Sequence, residues 1–494
     1  MRILMLGWEF PPFIAGGLGT AVDGLTKSLV AQGHEVVFVL PQPIPAGHQS
    51  HVELIGPRVL AQRAEALRAK RGQPGFYPSH AATSTKTTTT TRTIRTPGTK
   101  PTIEEQVERF QASMPSSYPG VDAHDVLRRV VKMVGGQDPL ETTVEEESVD
   151  TVTEMIGALR TSSADQLADA MDSILESLGE MGTGSSGYGA DLFRDADRYA
   201  ALVAGLGMTE RFDVIHAHDW LTYPAGMMLK ALTGKPLVCH IHATEFDRSG
   251  EHINQGVYEL ERAGMHAADR VIAVSRLTKA IVHSKYGVDD AKIDVVYNGV
   301  DQDNMQPMRG AAIERGEKIV LFLGRITMQK GPEYFIDAAK RVLEKTDNVK
   351  FVVAGSGDMA VRMIEHAAAA GIGHKVLFTG FLRGRDVDRV YQLADCYVMP
   401  SVSEPFGIAP LEAMRNDVPV IVSKQSGVAE VLTHALKVDF WDIDEMANKI
   451  VAVLKYPPLG QTLREHGRFE LRGLHWDGAA EKCVKVYAKA IAGM

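Results

Sequence analysis

Cysteine is scarce in this chain, whose 494 residues include three: Cys239, Cys396 and Cys483. An odd number of widely spaced cysteines, each in an apolar context, excludes a disulfide framework and a compact thiolate metal site. Reduced thiols of this kind are typical of the cytoplasm, so we expect a cytoplasmic protein.

Long hydrophobic runs and an excess of basic charge are also missing. No stretch is apolar over the length that a bilayer requires, and Met1–Gly7 predicts a short strand rather than a signal peptide because its apolar run breaks early. The formal net charge of -9 argues against nucleic acid or an anionic membrane as the main partner. The chain is long enough for two domains that each bury a core. Together, the size, the acidic charge and the lack of a long apolar run predict a soluble enzyme.

Short apolar strands alternate with helical patterns over most of the chain, which predicts parallel sheets covered by helices on both faces. The first series of predicted strands comprises Arg2–Gly7, Glu35–Leu40, Phe212–His216, Pro236–Ile241, Asp269–Val274 and Ile293–Tyr297. The second series comprises Ile319–Leu323, Val349–Ala354, Lys375–Thr379, Cys396–Met399 and Val418–Val422. We therefore predict an α/β protein.

The two series predict two Rossmann-like domains, residues 1–300 and 301–470, joined near Asn298–Asp301. Ligands bind beyond the carboxyl ends of strands in such folds, so two facing domains leave a cleft between them. Residues 72–187 break the alternation and predict an insertion in the first domain. Its threonine-rich tract, Thr83–Thr93, is expected to be disordered because it has too little apolar surface to offset chain entropy. A lid, a partner site and a non-catalytic role all stay open for this insertion.

Two carboxylates, Glu404 and Glu412, have seven residues between them and stand on either side of a predicted strand-to-helix turn. Gly407 between them lets the backbone approach a ligand closely, and Pro410 is tolerated near a helix start. The amides of residues 406–408 would then point outward, where a phosphate group could bind them. A carboxylate for sugar hydroxyls beside amides for phosphate suits a nucleotide sugar.

A basic loop follows the first strand of the second series and contains Arg325 and Lys330. Two cations fixed in a cleft shielded from water can neutralise a diphosphate leaving group as its bond to the sugar breaks. The alternative is a solvated loop with two ordinary charges, and the glutamate pair downstream favours the first interpretation. In the first series, Gly16 and Gly17 precede a helix whose N-terminus could bind an anion, although two glycines often form only a tight turn.

Histidines end two predicted strands of the first series, in the segments His216–Trp220 and Cys239–Glu245. These segments place Asp219 and His242 at the rim of the domain. The histidine spacing matches no compact zinc motif, so we expect no metal. Buried histidines with backbone hydrogen-bond partners explain His216, His218 and His240 better.

Taken together, these residues resemble the retaining glycosyltransferases of the GT-B fold, in particular glycosyltransferase family 4 and the bacterial and archaeal glycogen synthases. The resemblance spans most of the chain outside the insertion. It rests on segments that follow one another along the chain in the order of the family's motifs: Gly16–Leu18, His216–Trp220, Ile241–Glu245, Asn298–Asp301, Arg325 with Lys330, and Glu404 with Glu412. Ile14 departs from the glycogen synthase pattern, which has lysine there. Trp476 and Tyr487 resemble the family's terminal helix, so residues 471–494 are expected to cross back onto the first domain.

The resemblance implies residue roles. The implied donor-binding residues are Gly16, Gly17, Arg325, Lys330, Phe406, Gly407, Ile408 and Glu412. The implied catalytic residues, around the sugar, are His242, Asp219 and Glu404. In this scheme the two cations bind the donor diphosphate, and Glu412 binds the ribose hydroxyls.

The implied reaction moves a hexose, with glucose favoured, from an ADP- or UDP-sugar to a glycan acceptor, with retention at the anomeric carbon and without metal or cofactor. The departing phosphate oxygen would accept the acceptor's proton. Three alternatives stay open: a family 4 hexosyltransferase acting on a polysaccharide, lipid or small-molecule acceptor, a nucleotide-sugar 2-epimerase, and a non-catalytic sugar-nucleotide binder. The oligomeric state is not determined by these patterns.

Overall fold

The computed structural model describes residues 1–12, 16–42, 44, 48–57, 59, 62, 192–207, 210–301 and 316–493. The predicted insertion at residues 72–187, with its threonine-rich tract, lies outside the described residues. None of the helices in the described ranges combines the length and the apolar character that crossing a lipid bilayer requires.

Seven parallel strands of the first half form one sheet. They are β1 (Arg2–Leu6), β2 (Glu35–Val39), β3 (Glu53–Ile55), β4 (Val214–His218), β5 (Leu237–Ile241), β6 (Arg270–Ala273) and β7 (Ile293–Val295). Their spatial order is β3-β2-β1-β4-β5-β6-β7. The described helices between them are α1 (Gly17–Ala31), α2 (Leu192–Gly207), α3 (Tyr223–Thr233), α4 (Glu245–Ser249), α5 (Gln255–Ala267) and α6 (Arg276–Tyr286). Apolar side chains of α2, α3 and α5 cover one face of this sheet, and those of α1 cover the other.

Six parallel strands of the second half form another sheet. They are β8 (Lys318–Leu323), β9 (Val349–Ala354), β10 (Val376–Gly380), β11 (Cys396–Met399), β12 (Val420–Ser423) and β13 (Leu436–Val438). Their spatial order is β10-β9-β8-β11-β12-β13. The helices that follow them are α7 (Pro332–Leu343), α8 (Ala360–Ala369), α9 (Arg385–Leu393), α10 (Ala409–Arg415), α11 (Ile443–Lys455), α12 (Pro457–Leu471) and α13 (Trp476–Ala492). Helices α7, α8 and α11 cover one face, and α9 and α10 cover the other.

Every predicted strand is present, with ends that shift by at most two residues. The sequence analysis missed β3 and β13, which are three residues long and too short to show a hydrophobic period. The α/β prediction of two parallel sheets is therefore confirmed, whereas the domain boundaries near residues 300 and 470 stay predictions.

Helix α13 packs against the first domain rather than the second. Trp476 and Tyr487 belong to the same apolar cluster as β1 and the inner face of α1. A Cβ on Gly24 of α1 would clash with the Trp476 ring, so the two helices touch closely at this glycine. Val300 donates its amide to the carbonyl of Leu474 at 3.0 Å, which ties the segment between the domains to the start of α13. The expected return of the terminal helix is thus observed.

Each sheet has a point where strand order reverses, between β1 and β4 in the first and between β8 and β11 in the second. Open parallel sheets bind ligands beyond the carboxyl ends of the strands at this point. The strands that flank the two points are followed by predicted site residues: Gly16 and Gly17 after β1, Asp219 after β4, Arg325 and Lys330 after β8, and Glu404 after β11. The topology therefore positions the candidate site.

Candidate active site

Lys330 and Glu404 form an ion pair, with the lysine Nζ 2.5 Å from the glutamate Oε2. They come from loops after the neighbouring strands β8 and β11. The Glu404 side chain is 9% exposed and that of Lys330 20%, so both charges are largely withdrawn from water. Charges interact more strongly in such surroundings. A diphosphate bound here could replace Glu404 as the partner of Lys330 and release the carboxylate toward sugar hydroxyls.

Gln329 joins the loop after β8 to the loop after β11. Its buried carbonyl accepts the amide of Val402 at 2.9 Å. Its side-chain oxygen accepts a long hydrogen bond of 3.4 Å from the guanidinium of Arg325. Arg325 is exposed, so the two predicted cations share one loop beside Glu404, with Lys330 inside and Arg325 at the solvent edge.

Glu412 lies in the first turn of α10, as expected, and Tyr391 of α9 orients it. The Tyr391 hydroxyl is 3.1 Å from Glu412 Oε2. Burial raises the pKa of Glu412, and the hydrogen bond from Tyr391 opposes this rise. Tyr391 is fully buried, so it holds the carboxylate in one place relative to the sheet.

The turn before α10 brings the predicted amides next to Glu404. Gly407 has a φ angle of 100°, which residues other than glycine rarely adopt. A Cβ atom at this position would lie 3.1 Å from Glu404 Cγ. Among the described residues, the amides of Phe406, Gly407 and Ile408 donate to no other group of the protein. Unpaired amides at the start of a helix are suitable for binding a phosphate oxygen.

Asp219 has a strained backbone. Its φ of 59° and ψ of 169° lie in a region that is essentially restricted to glycine. Its Oδ1 accepts the amide of His242 at 2.7 Å, and its own amide donates to the carbonyl of His240 at 3.0 Å. Such strain costs on the order of 1–3 kcal/mol and is concentrated at functional sites. The strained turn places Asp219 beside His242.

Burial raises the pKa of Asp219 to about 6, although Arg248 nearby and two backbone amides favour the charged form. Burial lowers the pKa of His242 to about 3. At neutral pH, Asp219 is therefore a carboxylate, and His242 is a neutral ring that can donate or accept one hydrogen bond at each nitrogen. The pair can bind sugar hydroxyls.

His242 belongs to a stack of four histidine rings, whose other members are His216, His218 and His240. His216 Nε2 is 3.1 Å from His240 Nδ1, and His218 Nδ1 is 3.0 Å from His242 Nε2. His216 Nδ1 also bonds the Tyr487 hydroxyl at 2.7 Å. The expected backbone partners are therefore wrong, since the rings bond one another and Tyr487 of the returning helix.

Three of these rings have nitrogens close enough to hold a metal ion. Ligand atoms of His216, His218 and His240 lie within 4.8 Å of one another. In the described part of the chain, the Nε2 atoms of His218 and His240 are buried without a hydrogen-bond partner. This cluster lies in the interior, and the half-buried groups Asp219 and His242 extend it toward the cleft.

Glu9, which the sequence analysis missed, occupies the start of α1. Its Oε2 accepts the amide of Gly19 at 3.0 Å, and a Cβ on Gly16 would lie 2.7 Å from the same oxygen. The predicted anion site at Gly16 and Gly17 therefore already faces a carboxylate of the chain. The negative charge of Glu9 also contributes to the raised pKa of Asp219, which shows that the loops after β1 and β4 are close.

Several polar contacts join the domains across the cleft. Ser403 Oγ donates to Asp247 Oδ1 of α4 at 2.5 Å. The carboxylate of Glu430 accepts the amides of Arg276 and Leu277, at the start of α6, at 2.9 and 2.7 Å. The first contact links the helix after His242 to the residue before Glu404. The structure thus brings the first-domain and second-domain site residues to one cleft.

Sequence reasoning missed Glu9, Asp247, Tyr391 and Glu430 because their partners are far away in the chain. A weak signal was available for two of them. Glu9 lies in the loop that follows β1. Asp247 completes a capping box with Thr244, whose side-chain oxygen is 3.2 Å from the Asp247 amide.

Family models match three successive parts of the chain. The model of glycosyl transferases group 1 matches residues 307–469, that of glycosyltransferase family 4 residues 187–304, and that of the starch synthase catalytic domain residues 2–77. The second-domain match contains the Arg325, Lys330, Glu404 and Glu412 set.

Individual relatives agree with these matches. An uncharacterized glycosyltransferase of Methanocaldococcus jannaschii is 33% identical over 308 residues, which cover 59% of this chain and 78% of the relative. A glycogen synthase of Mycobacterium tuberculosis is 24% identical, with 100% of this chain and 96% of the relative covered. The solved structure of sucrose-phosphate synthase from Thermosynechococcus elongatus has a TM-score of 0.64 at 17% identity, with 100% of each chain covered. The likeness to this structure concerns the fold.

Proposed function

Because the chain belongs to the glycosyltransferases of the GT-B fold, we propose that it transfers a hexose from a nucleotide-diphosphate sugar to a glycan acceptor with retention at the anomeric carbon. Glucose is the favoured hexose, and ADP or UDP the favoured nucleotide. The Lys330–Glu404 pair, 2.5 Å apart beyond β8 and β11, is the observation that carries this proposal. It combines a cation for the leaving diphosphate with a carboxylate for the sugar in a site largely shielded from water.

The first domain supplies the other wall of the sugar pocket. Asp219 and His242 would hold the hexose from the side opposite Glu404, and the contact between Asp247 and Ser403 keeps the two walls together. Orientation of donor and acceptor in one cleft lowers the barrier because the entropy of bringing them together is lost on binding rather than in the reaction.

In the proposed reaction, the bond between the anomeric carbon and the donor phosphate oxygen breaks as the acceptor hydroxyl attacks from the same face. The departing phosphate oxygen takes the acceptor's proton, so the carboxylates stabilise the oxocarbenium-like centre without forming a covalent intermediate. Lys330 and Arg325 neutralise the charge of the diphosphate, and the amides of residues 406–408 donate hydrogen bonds to it. No metal is needed for this stabilisation in the proposed scheme. The cytoplasmic location belongs to the same proposal and rests on the three dispersed cysteines.

A transfer assay on the purified protein tests the proposal. ADP-glucose and UDP-glucose are supplied in parallel with a glucan acceptor, in buffer that contains EDTA. We expect acceptor-dependent release of the nucleoside diphosphate and, by NMR, a product with the donor's anomeric configuration. An inverted product would contradict retention, and activity that EDTA abolishes and manganese restores would contradict the metal-free scheme. Release without acceptor of a free sugar whose configuration at C2 has changed would indicate the 2-epimerase type of chemistry instead.

The pH profile should report the Asp219 carboxylate. Its pKa of about 6 predicts that kcat/KM falls as the pH decreases below about 6, because the protonated carboxyl loses the charge that binds the sugar hydroxyls. The Asp219→Asn variant should be less active throughout and should lack this acidic limb. Asp444→Asn, at an exposed position on α11, is the matched control and should keep the limb. An unchanged limb in Asp219→Asn would remove Asp219 from the site.

A further inference from the structure

A groove of about 540 Å³ runs along α1 on the first domain and is open to solvent. It begins at Phe10, Pro11 and Pro12, in the segment that connects β1 to the Gly16–Gly17 turn, and continues to Asp23 and Lys27 on the second and third turns of α1. It therefore starts at the carboxyl edge of the sheet, next to the proposed sugar pocket, and leads away from it along the flank of the domain.

One wall of the groove is apolar and rigid. Phe10 is buried and packs against Phe38 with ring centroids 4.8 Å apart. Two prolines follow it, whose backbone φ angles are restricted by their rings. Because Phe10 is 2% exposed, it supports the wall from below, and Pro11 and Pro12 provide the accessible apolar surface. The C–H groups on the face of a sugar ring can pack against such a surface.

The other wall offers neutral hydrogen-bonding groups. His51 is fixed between the Phe10 ring, with centroids 5.8 Å apart, and the Thr26 hydroxyl at 2.8 Å. Burial lowers the pKa of His51, which favours its neutral form. Gln49 and Ser50 beside it are exposed. Amide, hydroxyl and neutral imidazole groups can each donate and accept, which suits a ligand covered with hydroxyl groups.

The charges of the groove cancel each other. Lys27 is the one lysine or arginine among its described lining residues, and its Nζ is 2.6 Å from Asp23 Oδ2. A phosphate group would have to compete with Asp23 for this lysine and would be repelled by the carboxylate. The groove is thus matched to an uncharged ligand. Its volume is in the range of about 300–1,000 Å³ for sites that hold ligands larger than one small polyol.

We propose that this groove binds the distal units of a neutral glycan acceptor, whose reacting end reaches past the Gly16–Gly17 turn into the sugar pocket. The inference rests on the proposed function and narrows it, because it favours a glucan over a sugar phosphate or a phosphorylated polyol as acceptor. The groove contributes to acceptor binding alone and takes no part in breaking the donor bond.

Steady-state kinetics of the Gln49→Ala/Ser50→Ala variant test this inference, with a neutral maltooligosaccharide and glucose 6-phosphate as acceptor probes. We expect the KM for the oligosaccharide to rise about five- to thirtyfold, as for one or two lost neutral hydrogen bonds. The KM for the donor and the slow hydrolysis of the donor without acceptor should stay at wild-type values. Gln461→Ala, on the exposed face of α12, is the matched control and should change none of these quantities.

The outcomes separate the inference from the function on which it depends. Donor turnover with an unchanged oligosaccharide KM in the double variant would overturn the groove while the transferase proposal stands. No donor turnover in the wild-type protein would overturn the transferase proposal itself. Preference for glucose 6-phosphate, lost in Lys27→Ala, would show that the lysine leaves Asp23 to bind phosphate and would contradict the neutral acceptor.

Discussion

Replacing Lys330 with alanine should lower turnover about 10²–10³-fold, the loss typical for removal of one group that stabilises charge in the transition state. Lys330 Nζ is the cation nearest Glu404, at 2.5 Å, in the part of the cleft where the diphosphate would leave. Without it, negative charge would develop on the phosphate in a site that is largely closed to water. The effect should appear in kcat, measured by release of the nucleoside diphosphate at saturating donor.

Two further variants make this result interpretable. Lys330→Met keeps the apolar stem of the side chain and should lose as much activity as Lys330→Ala, which would exclude a packing defect. Lys340→Ala removes an exposed lysine near the end of the following helix and should leave turnover unchanged. Wild-type turnover in Lys330→Ala, with thermal unfolding unaltered, would refute the role of this lysine.

Replacing Glu404 with glutamine should lower kcat/KM about 10- to 100-fold. The change keeps the shape of the side chain and removes its charge. A hydrogen bond to a charged group contributes about 1.5–3 kcal/mol, and each 1.4 kcal/mol corresponds to a factor of ten. Glu404 is 7% exposed overall and lies beside the unpaired amides of the turn before α10. The measurement is the initial rate of transfer at donor concentrations below KM.

A double variant, Lys330→Ala with Glu404→Gln, should show how the two charges depend on each other. Because Lys330 and Glu404 are in direct contact, the fold-decrease in kcat/KM of the double variant should be smaller than the product of the two single decreases. Glu344→Gln, at an exposed position after α7, is the control and should retain full activity. Equal activity of Glu404→Gln and the wild-type protein would mean that this carboxylate does not bind the sugar.

The fold and most of the candidate site could be predicted because their signals are local. A run such as Cys396–Met399 is apolar and bounded by polar residues, so it indicates a buried strand without knowledge of its neighbours. The turn from Glu404 to Glu412 could be predicted for the same reason, since Gly407 favours a loop and Pro410 favours a helix start. The terminal helix was expected through the resemblance carried by Trp476 and Tyr487.

Predictions failed where a side chain depends on distant partners. His216 and His240 were expected to bond the backbone, but they bond each other, and His216 also bonds Tyr487, which is 271 residues away in the chain. Glu9 was overlooked because nothing within its own segment shows that α1 turns its first amides toward it. Tyr391 and Glu412 meet only because α9 and α10 cover the same face of the second sheet.

The amino-acid sequence alone determined the number and order of most strands, the two-sheet α/β class and the residue types available after each strand, because hydrophobic period and turn chemistry act over a few residues. Only the tertiary structure decided which strands adjoin, and thereby that the loops after β1 and β4, and after β8 and β11, meet at the cleft. It also decided that Asp219 adopts a strained backbone and that Asp247 reaches Ser403. These features follow from packing between segments that are far apart in the chain. Such packing compensates for local strain, and a local sequence pattern cannot predict it.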